Sequence, residues 1–454
     1  MRNFKYKWFS GIIFIMVFII LSYGLAFALV PKGNYSRMTM REMYSEKKDF
    51  DVVFAGASLS QRDINPYIMD KELGVNTFNY AFSQQMFVGT YYSLKEMFNY
   101  HKPKLIVLTV DPDNFTSKEE KPIVFLAVSL YMKSFFNKLE YYFASSQDGS
   151  YLDRLFPWRG YDVKSPLDVV NNIYGKFDSF YTDYPKPGQV EAMENNKNGY
   201  VGKGFVKVDP SDEKGTLNYD NLKLPPANKN ISDINTKDTE YLKKISQLCK
   251  ENNCELILLS TPFPTFQILR VKNYFEFDKK VADIAKDLNI EYYNYNLIKP
   301  EVFKLKNNYF SDTEHLNTNG AEAFSKSLAS FLKMRENGDD MSKYFYKQDE
   351  YYASIDYVSS AWFNWKKNGS IITLSGDSLH GSKVTPEYQF VLLDSETGQE
   401  HIIRDYDKNP DFVFDSESYK KFKIRVNARA KGSNNNEVIR HYDEDVSKEE
   451  LYKR

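Results

Sequence analysis

The chain is poor in cysteine and histidine. Of its 454 residues two are Cys, Cys249 and Cys254, and five are His. Two thiols exclude a disulfide scaffold, and with so few imidazoles they make a poor zinc site, so neither a metal nor another cofactor is expected. A charge excess of either sign is also lacking. Lys plus Arg is 60 and Asp plus Glu is 61, for a net charge of -1. A nucleic-acid binder needs a basic excess, so nucleic acid is not an expected partner. Charged residues at 27% and hydrophobic residues at 42% exclude wholesale disorder and leave enough chain for a sizeable core. After residue 30 no apolar run approaches 18 residues. Aromatics are abundant at 16%, with 35 Tyr and 34 Phe. That fits a Lys/Asn/Tyr/Phe-rich composition as readily as a sugar-binding surface.

The one long apolar run is Trp8 to Val30, 23 residues without a charge. As a helix it is about 34 Å long, enough to cross a hydrocarbon core of about 30 Å. Arg2, Lys5 and Lys7 precede it. The positive-inside rule then leaves residues 1–7 in the cytoplasm and exports everything after Val30. The expected location is the cell membrane, with a single pass. The rival is a signal peptide cut at Ala26-Phe27-Ala28, but the run is longer than an ordinary signal core. No Cys lies near its end, which excludes a lipoprotein.

Residues 31–48 read as a linker, and β–α alternation begins at about residue 49. Asp51-Val-Val-Phe-Ala55 is a strand closed by Gly56. A short helix follows, with Asn65 as N-cap, Pro66 in its first turn and Gly74 as stop. Val75–Tyr80, Lys104–Val110, Glu255–Ser260 and Ile290–Tyr295 read as further strands. Tyr91/Leu94/Phe98, Tyr241/Ile245/Leu248/Cys249, Val281/Ile284/Leu288 and Phe324/Leu328/Phe331 mark helix faces. The pattern predicts a three-layer α/β/α domain with a mostly parallel sheet over 49–335. Residues 115–233 interrupt it as an insertion, partly loop, of the kind that builds substrate grooves. After a polar run from Glu336 to Lys343, residues 345–454 show short alternating segments and turns, which predicts a β-sandwich.

Gly56-Ala57-Ser58-Leu59 comes directly after the first strand. Ligands bind at the carboxyl edge of such sheets, so Ser58 stands at an exposed turn where helix N–H groups favour an oxyanion. Gly-x-Ser is common, and an ordinary N-cap serine reads the same way. The other end of the domain adds Asp312-Thr-Glu-His315-Leu-Asn-Thr-Asn319-Gly320-Ala321. A nucleophilic serine needs a base, and the base needs an acid to orient it. Before the β-region the only histidines are His101 and His315. His101 lies in a polar turn before a strand's amino end, the wrong edge, which leaves His315. Gly376-Asp377-Ser378-Leu379 lies in the β-region and reads as part of a turn between strands. Trp362 and Trp365, and Trp158 in the insertion, are candidate sugar-stacking rings. Core positions are the competing reading for each.

Ser58 in its Gly-x-Ser-Leu setting, followed by Asp-x-x-His-Leu-Asn-x-x-Gly-Ala, resembles the SGNH/GDSL hydrolase superfamily over roughly residues 50–335. The resemblance implies an α/β/α fold and acyl transfer or ester hydrolysis, with Ser58 as nucleophile, His315 as base and Asp312 as orienting acid. It also shows departures. Ala57 stands where the family usually has Asp. Gln84 aligns with a Gly whose N–H serves the oxyanion hole, and Asp113 stands at an Asn position. Gln84 and Asn114 are therefore the candidate oxyanion donors, because an ionised carboxylate cannot donate. The single span and exported domain resemble envelope acyltransferases that O-acetylate alginate and cell-wall polysaccharides, and more distantly the D-alanyl transfer protein of lipoteichoic acid synthesis. This implies a polysaccharide or teichoic-acid acceptor and a polytopic membrane-bound O-acyltransferase as partner. A plain esterase or deacetylase, and a non-catalytic glycan-binding scaffold, are the other readings.

Overall fold

The computed structural model describes all residues except 1, 31–34, 117–118, 147–148, 162, 179–183, 186–197, 225, 228–233, 235, 436–437 and 448–454. Parts of the expected linker, the insertion and the C-terminal region therefore lie outside the described residues. An N-terminal helix, Arg2–Leu29, carries the apolar run, and its 22-residue stretch Trp8–Leu29 is long and apolar enough to cross a membrane.

Strands β1 (Val52–Gly56), β2 (Thr77–Ala81), β3 (Leu105–Thr109), β6 (Glu255–Ser260) and β7 (Glu291–Asn294) form one parallel sheet in the order β2-β1-β3-β6-β7. Strand residues 52–55, 106–108 and 256–259 are apolar because helices cover both faces. Val53, Ala55, Ile106, Leu108, Leu256 and Leu258 join the core on one face. Val52, Phe54, Val107, Ile257 and Leu259 join the core on the other. Strand order reverses between β1 and β3, so their carboxyl ends flank a crevice, the standard ligand position in open α/β sheets. A small hairpin, β4 (Gly199–Gly202) and β5 (Phe205–Lys207), lies inside the insertion between β3 and β6.

Residues 35–45 correct the linker expectation. They form a helix whose Met40 and Met43 enter the core, and Glu42 is buried against Tyr184, Tyr200 and the Lys203 N–H. Other polar side chains of this helix are tied in as well: Thr39 Oγ1 donates to the Tyr35 carbonyl at 2.9 Å and Arg41 donates to the Tyr184 carbonyl at 3.0 Å. The stretch Glu336 to Lys343 is not a free spacer either. Met341 is buried, and backbone bonds join Lys299 to Tyr344 and Tyr346 to Leu297, both at 2.8 Å.

The C-terminal region is a sandwich. One sheet has the order β11-β10-β13-β14: Glu400–Asp407, Pro386–Asp394, Phe422–Ala430 and Arg440–Asp445. The other has β12-β9-β8: Asp411–Asp415, Ile371–His380 and Val358–Asn368. Phe363, Leu374, Phe390, Leu392, Ile424 and Val426 fill the space between. The sandwich packs on the α/β body through Phe266, Trp362 and Leu379, and the Arg440 guanidinium lies 4.7 Å over Tyr219. Strand β8 showed no alternation because its first half is buried on both sides by this packing.

Candidate active site

Gly56 ends β1 with φ 127°. A Cβ there would lie 2.3 Å from Thr109 Oγ1 and 2.8 Å from its carbonyl oxygen on β3, so only glycine lets the two strands close beneath the turn. Ala57 caps the next helix, Ser58–Asp63, and Ser58 is its first residue. The first N–H groups of a helix have no intrahelical partner, so the Ser58 amide is available beside its own hydroxyl.

The loop 311–317 brings the other two side chains to Ser58. A bridge between Phe310 and Leu316 closes it, and the Ser311 N–H donates to the His315 carbonyl at 2.9 Å. Asn317 then caps the helix Thr318–Glu336, its Oδ1 accepting from the Gly320 N–H at 3.1 Å, while its Nδ2 holds the Asn308 carbonyl at 2.9 Å. A Cβ on Gly320 would fall 2.2 Å from the Tyr309 carbonyl oxygen. The Leu-Asn-x-x-Gly residues after His315 thus fold the loop and dock its helix.

In this loop His315 Nε2 lies 2.8 Å from Ser58 Oγ, and Nδ1 lies 2.9 Å and 3.0 Å from the two Asp312 oxygens. Asp312 Oδ1 also accepts the Glu314 and His315 N–H groups at 2.9 Å and 2.8 Å. Burial pushes the Asp312 carboxyl up, but the hydrogen bond and charge of His315 and these two N–H groups outweigh it, holding Asp312 down at about 2. The acid is ionised at any working pH, and Nδ1 is held as the N–H. Nε2 then faces Ser58 as the acceptor. The structure therefore brings Ser58, His315 and Asp312 into one hydrogen-bonded chain at the crevice beside the β1/β3 switch point.

The reading of the sequence missed Asp63. It is fully buried, and its Oδ1 accepts the Leu316 N–H at 2.9 Å, one residue past His315. Burial raises it from 3.8 to about 7, against the pull of His315 and the Leu316 N–H. Arg62 reaches Asp312 at 3.4 Å. One six-residue helix thus carries Ser58 and two ties to the loop that holds Asp312 and His315. The signal was an acidic residue five positions after Ser58, on a helix too short to show a period.

Gln84, Asn114 and Ser58 line the same cleft, of about 290 Å³. Gln84 has φ 59°, the left-handed conformation that glycine adopts most easily, at the position where the family pattern has Gly. Asn114 is buried, and its Oδ1 accepts the Asp111 N–H at 2.9 Å, which leaves its amide nitrogen as the end able to donate to a ligand. Asp113 is exposed. The cleft is acidic. Among the described residues, Asp111, Asp113, Glu119, Glu120 and Glu314 line it against one cation, Lys121. Burial and the charge of Asp113 raise Asp111 to about 6, and burial raises Glu120 to about 7.

The three tryptophans lie elsewhere. Trp362 is 2% exposed in the seam between the sandwich and the α/β body, so its ring has no open face for a sugar. Trp365, an odd number of residues along the same strand, points to the other side, where its Nε1 donates to Glu444 at 3.2 Å. Trp158 lies against the N-terminal helix, beside Phe156. His101 is buried, with Nε2 2.7 Å from the Met43 carbonyl, and has a structural setting. Ser378 lies within β9 and not in a turn as expected; its hydroxyl is 2.9 Å from the Tyr388 hydroxyl. Cys249 and Cys254 are both free and buried. Among the described residues no group of three or more His, Cys, Asp or Glu is placed to hold a metal ion.

No family model matches the chain, and no curated protein matches it. Solved structures do resemble it. A Bacteroides fragilis protein described as an acylhydrolase is 10% identical, with 67% of this chain and 98% of that one covered at a TM-score of 0.31. A GDSL-like lipase from Bacteroides thetaiotaomicron is 13% identical, with 67% and 99% covered at 0.30. A Streptococcus pneumonia protein described as a platelet activating factor is 12% identical, with 70% and 99% covered at 0.32. At these scores the α/β assignment rests on strand order, and the chemistry rests on the side chains themselves.

Proposed function

We propose that the chain is a serine-dependent acyltransferase of SGNH/GDSL type that works through an acyl-enzyme at Ser58. The observation that carries this reading is the continuous Ser58–His315–Asp312 hydrogen-bonded chain at the carboxyl edge of the sheet. As Ser58 Oγ attacks an acyl carbonyl, its proton moves to His315 Nε2, and the ionised Asp312 stabilises the imidazolium. The tetrahedral oxyanion is met by the Ser58 and Gln84 N–H groups and the Asn114 amide. His315 then returns the proton to the leaving oxygen. A second hydroxyl, deprotonated in turn by His315, takes the acyl group and frees Ser58.

The acceptor in this reading is a hydroxyl of a cell-envelope polysaccharide, and the acyl group is acetyl. The apolar N-terminal helix supports a membrane-held enzyme that works beside a polytopic O-acyltransferase. The acidic cleft favours a second reading for the acyl group. A wall of carboxylates repels anions and attracts an ammonium, which suits an aminoacyl group such as D-alanyl better than a neutral acetyl. Hydrolysis by water uses the same residues.

The test is to incubate the full chain with an activated acetyl ester and find the adduct by mass. One acetyl group is expected on Ser58, and none in Ser58→Ala or His315→Ala folded to the same extent. Loss of the ester at an undiminished rate in Ser58→Ala would sink the assignment.

A further inference from the structure

We propose that the insertion helices form a second membrane-contacting surface, embedded in the outer half of the bilayer around the N-terminal helix. This rests on the reading of that helix as a span and is independent of the acyl chemistry. The helix Pro166–Gly175 is tied to the end of the N-terminal helix. Asn172 Nδ2 donates to the Leu29 carbonyl at 3.1 Å, and Lys176 Nζ donates to the Phe27 and Val30 carbonyls, both at 2.6 Å. These bonds satisfy carbonyls that a helix end leaves without partners. They also fix the insertion to the level where the span leaves the hydrocarbon.

From there the insertion runs alongside the span. The Phe156 ring packs edge-on against Phe18 at 5.4 Å. At 1.5 Å per residue, Phe18 lies roughly 16 Å along the axis from Leu29. That is about half of a 30 Å hydrocarbon core. A side chain touching Phe18 is therefore within the bilayer whenever the helix spans it.

The outward faces of these helices suit lipid. Leu167, Val170, Tyr174 and Phe177, at helical spacing, are all exposed, as are Phe136, Leu139 and Phe143 on the helix Phe135–Ser145. A water-facing surface seldom carries two such stripes. The opposite face of the second helix buries Asn137 and Tyr141. Arg159 pairs with Asp153 at 2.8 Å, and the buried Arg154 donates to the Glu120 carbonyl. The Arg159–Asp153 pair is of the kind that a membrane interface tolerates. A groove of about 1020 Å³ between span and insertion, lined by Phe18, Tyr23, Phe27, Leu155, Phe156 and Trp158 among others, is apolar and wide enough for lipid acyl chains. Its continuity with the span names lipid as the occupant.

The surface also reaches the cleft. Glu119, Glu120 and Lys121, which lead into the helix Pro122–Ser129, form part of the cleft wall, and Tyr141 donates to Glu120 at 2.6 Å. The cleft that holds Ser58 thereby shares a wall with the insertion.

The experiment places a thiol-reactive fluorophore on the full chain in lipid nanodiscs, at Phe136→Cys, Leu155→Cys, Tyr174→Cys, Phe14→Cys or Ile402→Cys. All five positions are exposed in the isolated chain, and both native thiols are buried. Brominated acyl chains are expected to quench the three insertion probes several-fold more than Ile402→Cys on the sandwich. Phe14→Cys reports the span itself. Quenching at Phe14→Cys with none at the three insertion positions overturns the proposal and leaves the anchor standing. Probes left unquenched by lipid, but shielded from aqueous iodide once a polytopic membrane protein is added, mark a protein interface and overturn it too. Acyl transfer is not read, so its failure is a separate result.

Discussion

The carboxyl of Asp63 is where the site couples to pH. Its unfolded value is near 3.8 and its folded value about 7. Between those limits the folded chain holds a proton that the unfolded chain has released, so stability falls as pH rises from about 4 to 7. Each unit of the difference is worth on the order of 1.4 kcal/mol. Asp63→Asn keeps an oxygen for the Leu316 N–H and carries no charge. The melting temperature of this variant is expected to change less between pH 4.5 and 7.5 than that of the parent, which scanning calorimetry in detergent reads directly. An undiminished pH slope would place the titrating group elsewhere, with the half-buried Asp111 and the buried Glu120 next in line. The residues of the Ser58–His315–Asp312 hydrogen-bonded chain were legible in the sequence. Serine after an apolar strand and Asp-x-x-His before a helix are local patterns, and local geometry dictates them. Asp63 and the acidic cleft were not legible, because their meaning depends on five separate segments meeting at one wall.

At the scale of elements, apolar runs disclosed β1, β3 and β6, which are buried on both faces. They disclosed less of β8, whose first half is buried on both sides by tertiary packing. The same cause moved the tryptophans. Two rings three residues apart on a strand face opposite ways, so Trp362 and Trp365 could not share a sugar platform. Trp362→Ala is expected to destabilise the chain by about 3–5 kcal/mol, the usual cost of removing a buried large aromatic. Its effect should appear as a lower melting temperature and not as a weaker acceptor KM. Deleting residues 345–454 should likewise unfold the α/β body, because it strips cover from Phe266 and from the cluster of Ile268, Tyr274 and Leu297. A deleted chain that kept its fold and lost only long acceptors would show the sandwich to be a separable glycan module.

For the whole molecule, the balanced net charge conceals an uneven distribution. The chain carries -1 overall, yet five carboxyl groups crowd one small cleft beside Ser58. An acyl group bearing an ammonium should therefore load Ser58 faster than acetyl from the same leaving group. Asp113→Asn with Glu314→Gln should narrow that preference, and added salt should narrow it in the parent. The ratio of the two acylation rates, followed by mass, decides between the acyl groups. If acetyl loads equally fast and both substitutions leave the ratio unchanged, the acidic wall is not reading charge, and the acetyl reading stands alone. Whether acetyl or alanyl is carried, added envelope polysaccharide should speed turnover if transfer rather than hydrolysis is the reaction.

The bonds from Asn172 and Lys176 to the end of the N-terminal helix tie that helix to the body that carries Ser58. A hinge there would let Ser58 sweep a hemisphere; a clamp confines it to a plane. If that helix spans a membrane as proposed, an acyl donor resident in the same leaflet would be met by lateral diffusion, and the encounter rate would follow molecules per unit area. Diluting the vesicles leaves that rate untouched, while diluting the donor among inert lipids lowers it.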